Sequence, residues 1–180
     1  LLVPAIREIL TNKNGWARST ASHFIYPLLT EEERGELWGD IYRATRYIAP
    51  SGIMFASQAR TDGLTLMAKH HIKEGMFLAA WYVRWQKGHG SPRRVPEALA
   101  ALEAYGAHAR DLIPYLEEHV EYFKSKRNPR REVGPEDTAN RISATIEKIK
   151  QAENKPDLVS ISEDLEEGDI PPKDGHRRRR

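Results

Sequence analysis

The sequence predicts an all-α protein. Apolar residues recur with a helical period through most of residues 1–124 and again from 138 to 152. Gly, Pro, Asn and Thr stand where helices start and stop, and no alternating strand of useful length occurs.

The elements follow in order. Pro4 suits a first helical turn, and Ile6, Ile9 and Leu10 continue one apolar face. Thr11 to Gly15 reads as a turn. A second helix runs from Trp16 to Leu29, with Ala17, Ala21, Phe24, Ile25 and Leu28 inward and Pro27 placed to end or kink it. Thr30 with Glu33 is a capping box, and Glu31, Glu32 and Glu33 complement the positive end of the helix they open. Leu37, Ile41, Ala44 and Ile48 form its stripe, and Pro50-Ser51-Gly52 stops it. The next helix carries Ile53, Ala56, Ala59, Gly63, Leu64, Met67 and His71 on one face, with Gly75 as its C′ residue.

Met76 to Gln86 is rich in aromatics, and Lys87 to Pro92 is a Gly/Pro loop. Val95 to Ala107 is a short helix. His108 to Lys124, with Leu112, Leu116, Val120 and Phe123, is a strongly amphipathic one with Pro114 near its start. Ser125 to Asp137 is a basic loop. Thr138 caps a final helix, 139–152, and Leu158, Val159 and Ile161 form an apolar coda placed to pack back on it.

Eight helices thus fall into four pairs: 1–10 with 15–29, 31–49 with 53–74, 76–87 with 95–107, and 109–124 with 138–152. A period of roughly 30–45 residues suits two-helix repeats, in which each pair buries its apolar face on the next. The stretch Ala101 to Leu116, ALEAYGAHARDLIPYL, resembles the junction of two HEAT-type repeats, with an apolar-Gly-small turn followed by Ile-Pro-x-Leu. Leu2-Val3-Pro4-Ala5-Ile6 echoes that start, and Trp16 to Ala21 and Ser57 to Leu64 look like second-helix starts. The resemblance covers residues 1–152, with longer second and fourth pairs. It implies an α-α superhelix, a HEAT-like solenoid of about four helical pairs, acting as a scaffold without catalytic residues. More loosely, the chain is similar to helical-repeat regions of large bacterial proteins.

The domain expected is 1–161, its last pair 109–152 acting as a cap. Residues 162–180 lack a large apolar pattern and are expected to form a disordered, charged tail ending in four arginines. The chain begins without Met, directly in an apolar pattern, so it reads as the C-terminal part of a larger protein. Its Leu1-Leu2-Val3 end is a candidate self-association surface. Nothing in the sequence assigns a compartment.

Composition narrows the chemistry. With no cysteine, disulfides, Cys-ligated metals and thiol nucleophiles are excluded. A net charge of +2 selects no partner, and no apolar run approaches the ~20 residues of a membrane span. His70-His71-x-x-Glu74 is the one metal-like cluster. Adjacent helical residues point ~100° apart, so only His70 and Glu74 share a side, and without a third ligand no metal or cofactor is assigned. Ser51, Ser57 and Ser91 lack a nucleophile elbow, and Glu36, Asp40 and Asp62 read as ion-pairing groups. No catalytic residue is assigned, and a protein partner is the first reading. The binding face is expected on the second helix of each pair, at Arg18, Arg60, Asp62, His70 and Arg94. A second reading takes Arg43, Arg46, Arg60, Arg84, Arg93 and Arg94 as a phosphate-facing series in a HEAT-like nucleic-acid-binding or DNA-repair domain. A third makes the chain a helical domain assisting an upstream enzyme domain, and a fourth uses Lys124 to Arg131 and the Arg tail to bind an anionic polymer.

Overall fold

A computed structural model describes residues 2–85, 94–125 and 135–175. Leu1, the loop residues 86–93 (Arg93 included), most of the basic loop (126–134) and residues 176–180 of the Arg tail lie outside the described residues. Eight α-helices are present among the described residues: α1 (Val3–Thr11), α2 (Gly15–Phe24), α3 (Glu31–Arg46), α4 (Ala56–Lys69), α5 (Lys73–Trp85), α6 (Val95–Ala104), α7 (Ile113–Lys124) and α8 (Pro135–Gln151). Short 3-10 turns occupy Tyr26–Leu28, Ile53–Phe55, Gly106–Leu112 and Ser162–Asp164.

Local chemistry sets the helix ends. Asn14 caps α2 by accepting from the Trp16 amide at 2.9 Å. The Thr30 capping box is complete: Thr30 Oγ1 accepts from the Glu33 amide at 3.2 Å, and Glu33 Oε2 accepts from the Thr30 amide at 3.0 Å. Proline sits in the first turns of α1, α6 and α7. Pro114 sets the start of α7, so 106–112 forms a 3-10 turn before it.

Three expected boundaries move. The second helix ends at Phe24, and the 3-10 turn around Pro27 redirects the chain. Phe24 and Leu28, expected inside, are exposed. The break after α4 falls at His70–Ile72 rather than at Gly75. His71 takes φ 53°, its amide bonds to Ala68 O and the Ile72 amide bonds to Met67 O. That is the Schellman arrangement with a histidine in the left-handed position. Gly75 lies inside α5 instead, where an added Cβ would meet the Tyr105 hydroxyl at 2.7 Å. Finally, α8 starts at Pro135, which leaves Thr138 buried within the helix rather than capping it.

Within each pair the helices pack on each other, and α4 also packs on α5. Across pairs, α2 touches α4, α4 touches α6, and α6 touches α8. Among the odd-numbered helices α1 touches α3 and α5 touches α7, and α3 and α5 meet through side chains, with Arg46 over the Trp81 ring. One continuous core runs through the molecule, with Tyr42, Met67, Trp81, Tyr105, Leu116 and Ile142 among its fully buried side chains. Helix ends inside it are capped by neighbours. The Tyr82 hydroxyl of α5 reaches Thr45 O and Arg46 O at the end of α3, at 2.8 and 2.9 Å. The Tyr105 hydroxyl donates to Ile72 O at 2.9 Å.

The chain after α8 departs from expectation. The apolar coda does not fold onto α8. Val159 pairs with the α4–α5 junction, accepting from the Lys73 amide at 2.8 Å and donating to His71 O at 3.0 Å. Glu74 accepts from Ser160 Oγ and the Ile161 amide. Residues 162–175, expected to belong to a disordered tail, lie against α3, α5 and α7. Asp169 and Pro171 are buried there. Neutral and charged donors on those helices hold the segment, which is why its lack of an apolar pattern did not prevent order.

Close approach is sharpest between α3 and α4, where a Cβ on Gly63 would overlap the Thr45 hydroxyl. Gly35, on the exposed side of α3, has nothing within 4 Å of such an atom. Gly63→Ala is expected to destabilise by about 1–3 kcal/mol through overpacking. Gly35→Ala is expected to stabilise by roughly 0.5–1 kcal/mol through helix propensity. Urea melts of the two variants check both signs.

His119 of α7 is fully buried against Tyr115, with ring centroids 4.2 Å apart. Burial, with Arg84 adding to it, pushes its pKa down from 6.5 to about 4. Between those values the unfolded chain binds a proton that the folded chain refuses, so stability is full above about pH 6.5 and is lost as pH falls toward 4. The loss is of order 2–3 kcal/mol. In paired denaturant melts at pH 7 and pH 4.5, His119→Leu is expected to show a smaller drop than wild type.

Candidate functional site

The structure scatters the five residues singled out by the sequence. Arg18 is half-buried and acts as a cap: Nε donates to Asn12 O at 2.7 Å and NH1 to Tyr47 O at 3.0 Å. It ties the ends of α1 and α3 together, and burial lowers its pKa. Arg60 is buried over the Tyr82 ring, 4.8 Å from its centroid. His70, at the end of α4, packs on Trp38 with centroids 5.6 Å apart. Its pKa is lowered by burial first and then by Arg34 and Lys69, which keeps it neutral near pH 7. It is not paired with Glu74, whose carboxylate takes Ser160 and Ile161.

Asp62 and Arg94 are brought together through Gln58. Asp62 accepts from Gln58 Nε2 at 2.6 Å and from Ser22 Oγ at 2.8 Å. Gln58 Oε1 accepts from Arg94 NH2 at 3.1 Å, and Arg94 NH1 reaches Glu97 Oε1 at 3.1 Å. This chain of hydrogen bonds links α2, α4 and the first turn of α6. Spacing explains it: Gln58 and Asp62 are i, i+4 on α4, and Arg94 and Glu97 are three apart, so each pair shares a side.

Beside this network lies a groove of about 850 Å³ between α2, the 53–55 turn and the starts of α4 and α6. One wall is apolar. Trp16, Phe24 and Met54 are 60, 64 and 58% exposed along it, and Trp16 meets Phe55 edge to face at 4.5 Å. The other wall is polar, made by Gln58, Arg94 and Glu97. Sequence reasoning missed the apolar wall because Phe24 fits the inward stripe if the helix continues to Leu29. The available signal was Pro27, which fixes where that stripe stops. His23 packs on Phe24, with centroids 4.8 Å apart.

The central arginines do not share one open face. Arg43 pairs with Asp40 at 3.1 Å and with Asp169 at 3.4 Å. Arg46 and Arg60 are buried, and Arg84 stacks over Trp85 and Tyr122. Asp40 also takes Arg7 at 2.8 Å, which makes it the ion-pairing group expected. Comparison with protein-family models, curated proteins and solved structures finds no match.

The Ser22–Asp62 contact couples α2 to α4 under the groove. Ser22→Ala and Asp62→Ala are each expected to cost about 1 kcal/mol. The double variant should fall short of the sum by roughly 0.5–1 kcal/mol. A double-mutant cycle by equilibrium denaturation measures that term.

Proposed function

We propose that the chain is a non-catalytic, HEAT-like helical-repeat scaffold of about four helical pairs that binds a protein partner through the groove beside α2. The succession of contacts α2–α4–α6–α8 supports the repeat reading, because it is how stacked two-helix units share a core. The observation that carries the binding role is the groove's division into two walls. Three large apolar side chains stand mostly exposed on one wall, against a rim of Gln58, Arg94 and Glu97 that is already hydrogen-bonded in place. Exposed apolar surface rimmed by ordered polar groups marks a recognition surface. Its shape and chemistry suit an amphipathic helix, whose apolar side would cover Trp16, Phe24 and Met54 while its polar edge meets Arg94 and Glu97.

The test is site-resolved capture. A photo-reactive residue replacing Phe24 in the full chain is expected to cross-link a discrete partner in extract from the source cells. The same group at exposed Glu147 on α8 should not. Adding Arg94→Glu should remove the Phe24 adduct, while melts show stability changed by less than about 1 kcal/mol, the size of an exposed ion pair. Identical adducts at positions 24 and 147 would sink the reading.

A further inference from the structure

The odd-numbered helices offer a second surface that is already filled. Residues 161–175 cross α3 and α5 and run on to α7. The helices hold this segment chiefly by its backbone. Arg43 NH1 donates to Asp164 O at 2.9 Å, and the Tyr47 hydroxyl reaches Gly168 O at 3.3 Å. Trp81 Nε1 donates to Pro172 O at 3.0 Å, and the Tyr115 hydroxyl to Lys173 O at 2.8 Å. Four side chains from three helices thus grip four carbonyls of one non-helical segment. Side chains are held as well: Asp169 takes Arg43 at 3.4 Å and the Tyr47 hydroxyl at 3.1 Å, Ile161 is buried in the core, and Leu165 packs against it. Gly39 leaves room for the backbone, since a Cβ there would sit 2.7 Å from Asp164 O.

Charge agrees with this reading. Residues 162–175 carry six carboxylates and one lysine. The face beneath them carries Arg43 and Arg46. The Arg46 guanidinium lies over the rings of Trp81 and Tyr47, at 4.6 and 5.1 Å, and both rings also bond to the segment. Its Nε is buried with no hydrogen-bond partner among the described residues. Within the segment itself the backbone bonds are short-range turns, such as Asp164 to Ile161 O and Asp169 to Glu166 O, and Asp169 Oδ2 also accepts from the Glu166 amide at 3.0 Å. The segment is therefore ordered by the surface it lies on, which is the way a bound peptide is ordered.

We infer that the α3–α5–α7 face is a peptide-binding site for a turn-containing, acidic segment with an Asp two residues before a proline, filled here by the chain's own 161–175. A partner protein carrying the same chemistry takes this site in trans when the resident segment lifts. Most of the grip is on carbonyls, which any such backbone supplies, while Arg43 and Tyr47 select the aspartate. The site is separate from the groove beside α2 and stands or falls independently of it.

The experiment uses the full chain and a fluorescent peptide with the sequence of residues 160–175. Wild type is expected to bind it weakly, because the resident segment competes. Asp169→Ala is expected to speed hydrogen exchange across 161–175 and to tighten peptide binding at least tenfold. Tyr47→Phe should weaken binding of the peptide added to the Asp169→Ala chain, and Arg43→Ala in that chain should abolish the gain. A peptide with its own aspartate at position 169 replaced by alanine should bind at least tenfold less well. Faster exchange without tighter binding would overturn the proposal, as would unchanged exchange in Asp169→Ala. Equal binding of a scrambled acidic peptide would overturn it too, by reducing the site to charge alone. Should Asp169→Ala fail to fold, Asp169→Asn keeps the shape, removes the charge, and is read by the same two measurements.

Discussion

A helix that ends inside a packed array leaves carbonyl oxygens where water does not reach them, and each needs a donor from somewhere else. This requirement shapes the molecule more than any single apolar contact. The end of α3 is met in the interior by Tyr82 from α5, and the α4–α5 turn by Tyr105. At the surface, Arg18 from α2 adds a bond to Tyr47 O, and Arg110 NH2 donates to Lys150 O at 3.0 Å at the end of α8. Each donor comes from a different helix than the acceptor it serves, so satisfying the backbone also fixes which helices are neighbours. The donor Tyr82 depends in turn on its own burial between α3 and α4, at the level where Gly63 lets those helices close.

The same requirement explains how arginine is used. A sequence with many arginines and several aromatics suggests a surface for phosphate. Here Arg18 and Arg110 serve carbonyls, Arg46, Arg60 and Arg84 lie over aromatic rings, and Arg43 joins two aspartates. The planar guanidinium does all of these, because it stacks on one side while its N–H groups donate in plane. What remains for partners is therefore uneven between the two layers. The even-numbered helices leave an open groove, and the odd-numbered helices are covered by the chain that follows α8.

Legibility followed the range of the interactions. The number and order of the helices, the Thr30 cap and the proline starts depend on residues within a turn or two, and they could be read from the sequence. The break at His71 could not, because a histidine in the left-handed region is held there by its neighbours rather than by its own preference. Phe24 was placed inward because its period was right but its helix was too short. Asp62 and Arg94 belong to one network, yet nothing in their spacing reveals Gln58 between them. The segment 162–175 was least legible. Its order comes from Arg43, Tyr47, Trp81 and Tyr115, each more than 55 positions away.

That segment also has a direction. It reaches α3 first, turns, and comes back past Trp81 to Tyr115 and to Trp85, against which Gly175 is packed. Tension applied from beyond residue 175 would therefore load its attachments one after another, from Trp85 and Tyr115 through Trp81 to Arg43 and then Glu74. A strap loaded in this order peels one contact at a time, so load from that end reaches the contacts with α5 and α7 before those with α3, and Ile161, buried in the core, is the last anchor.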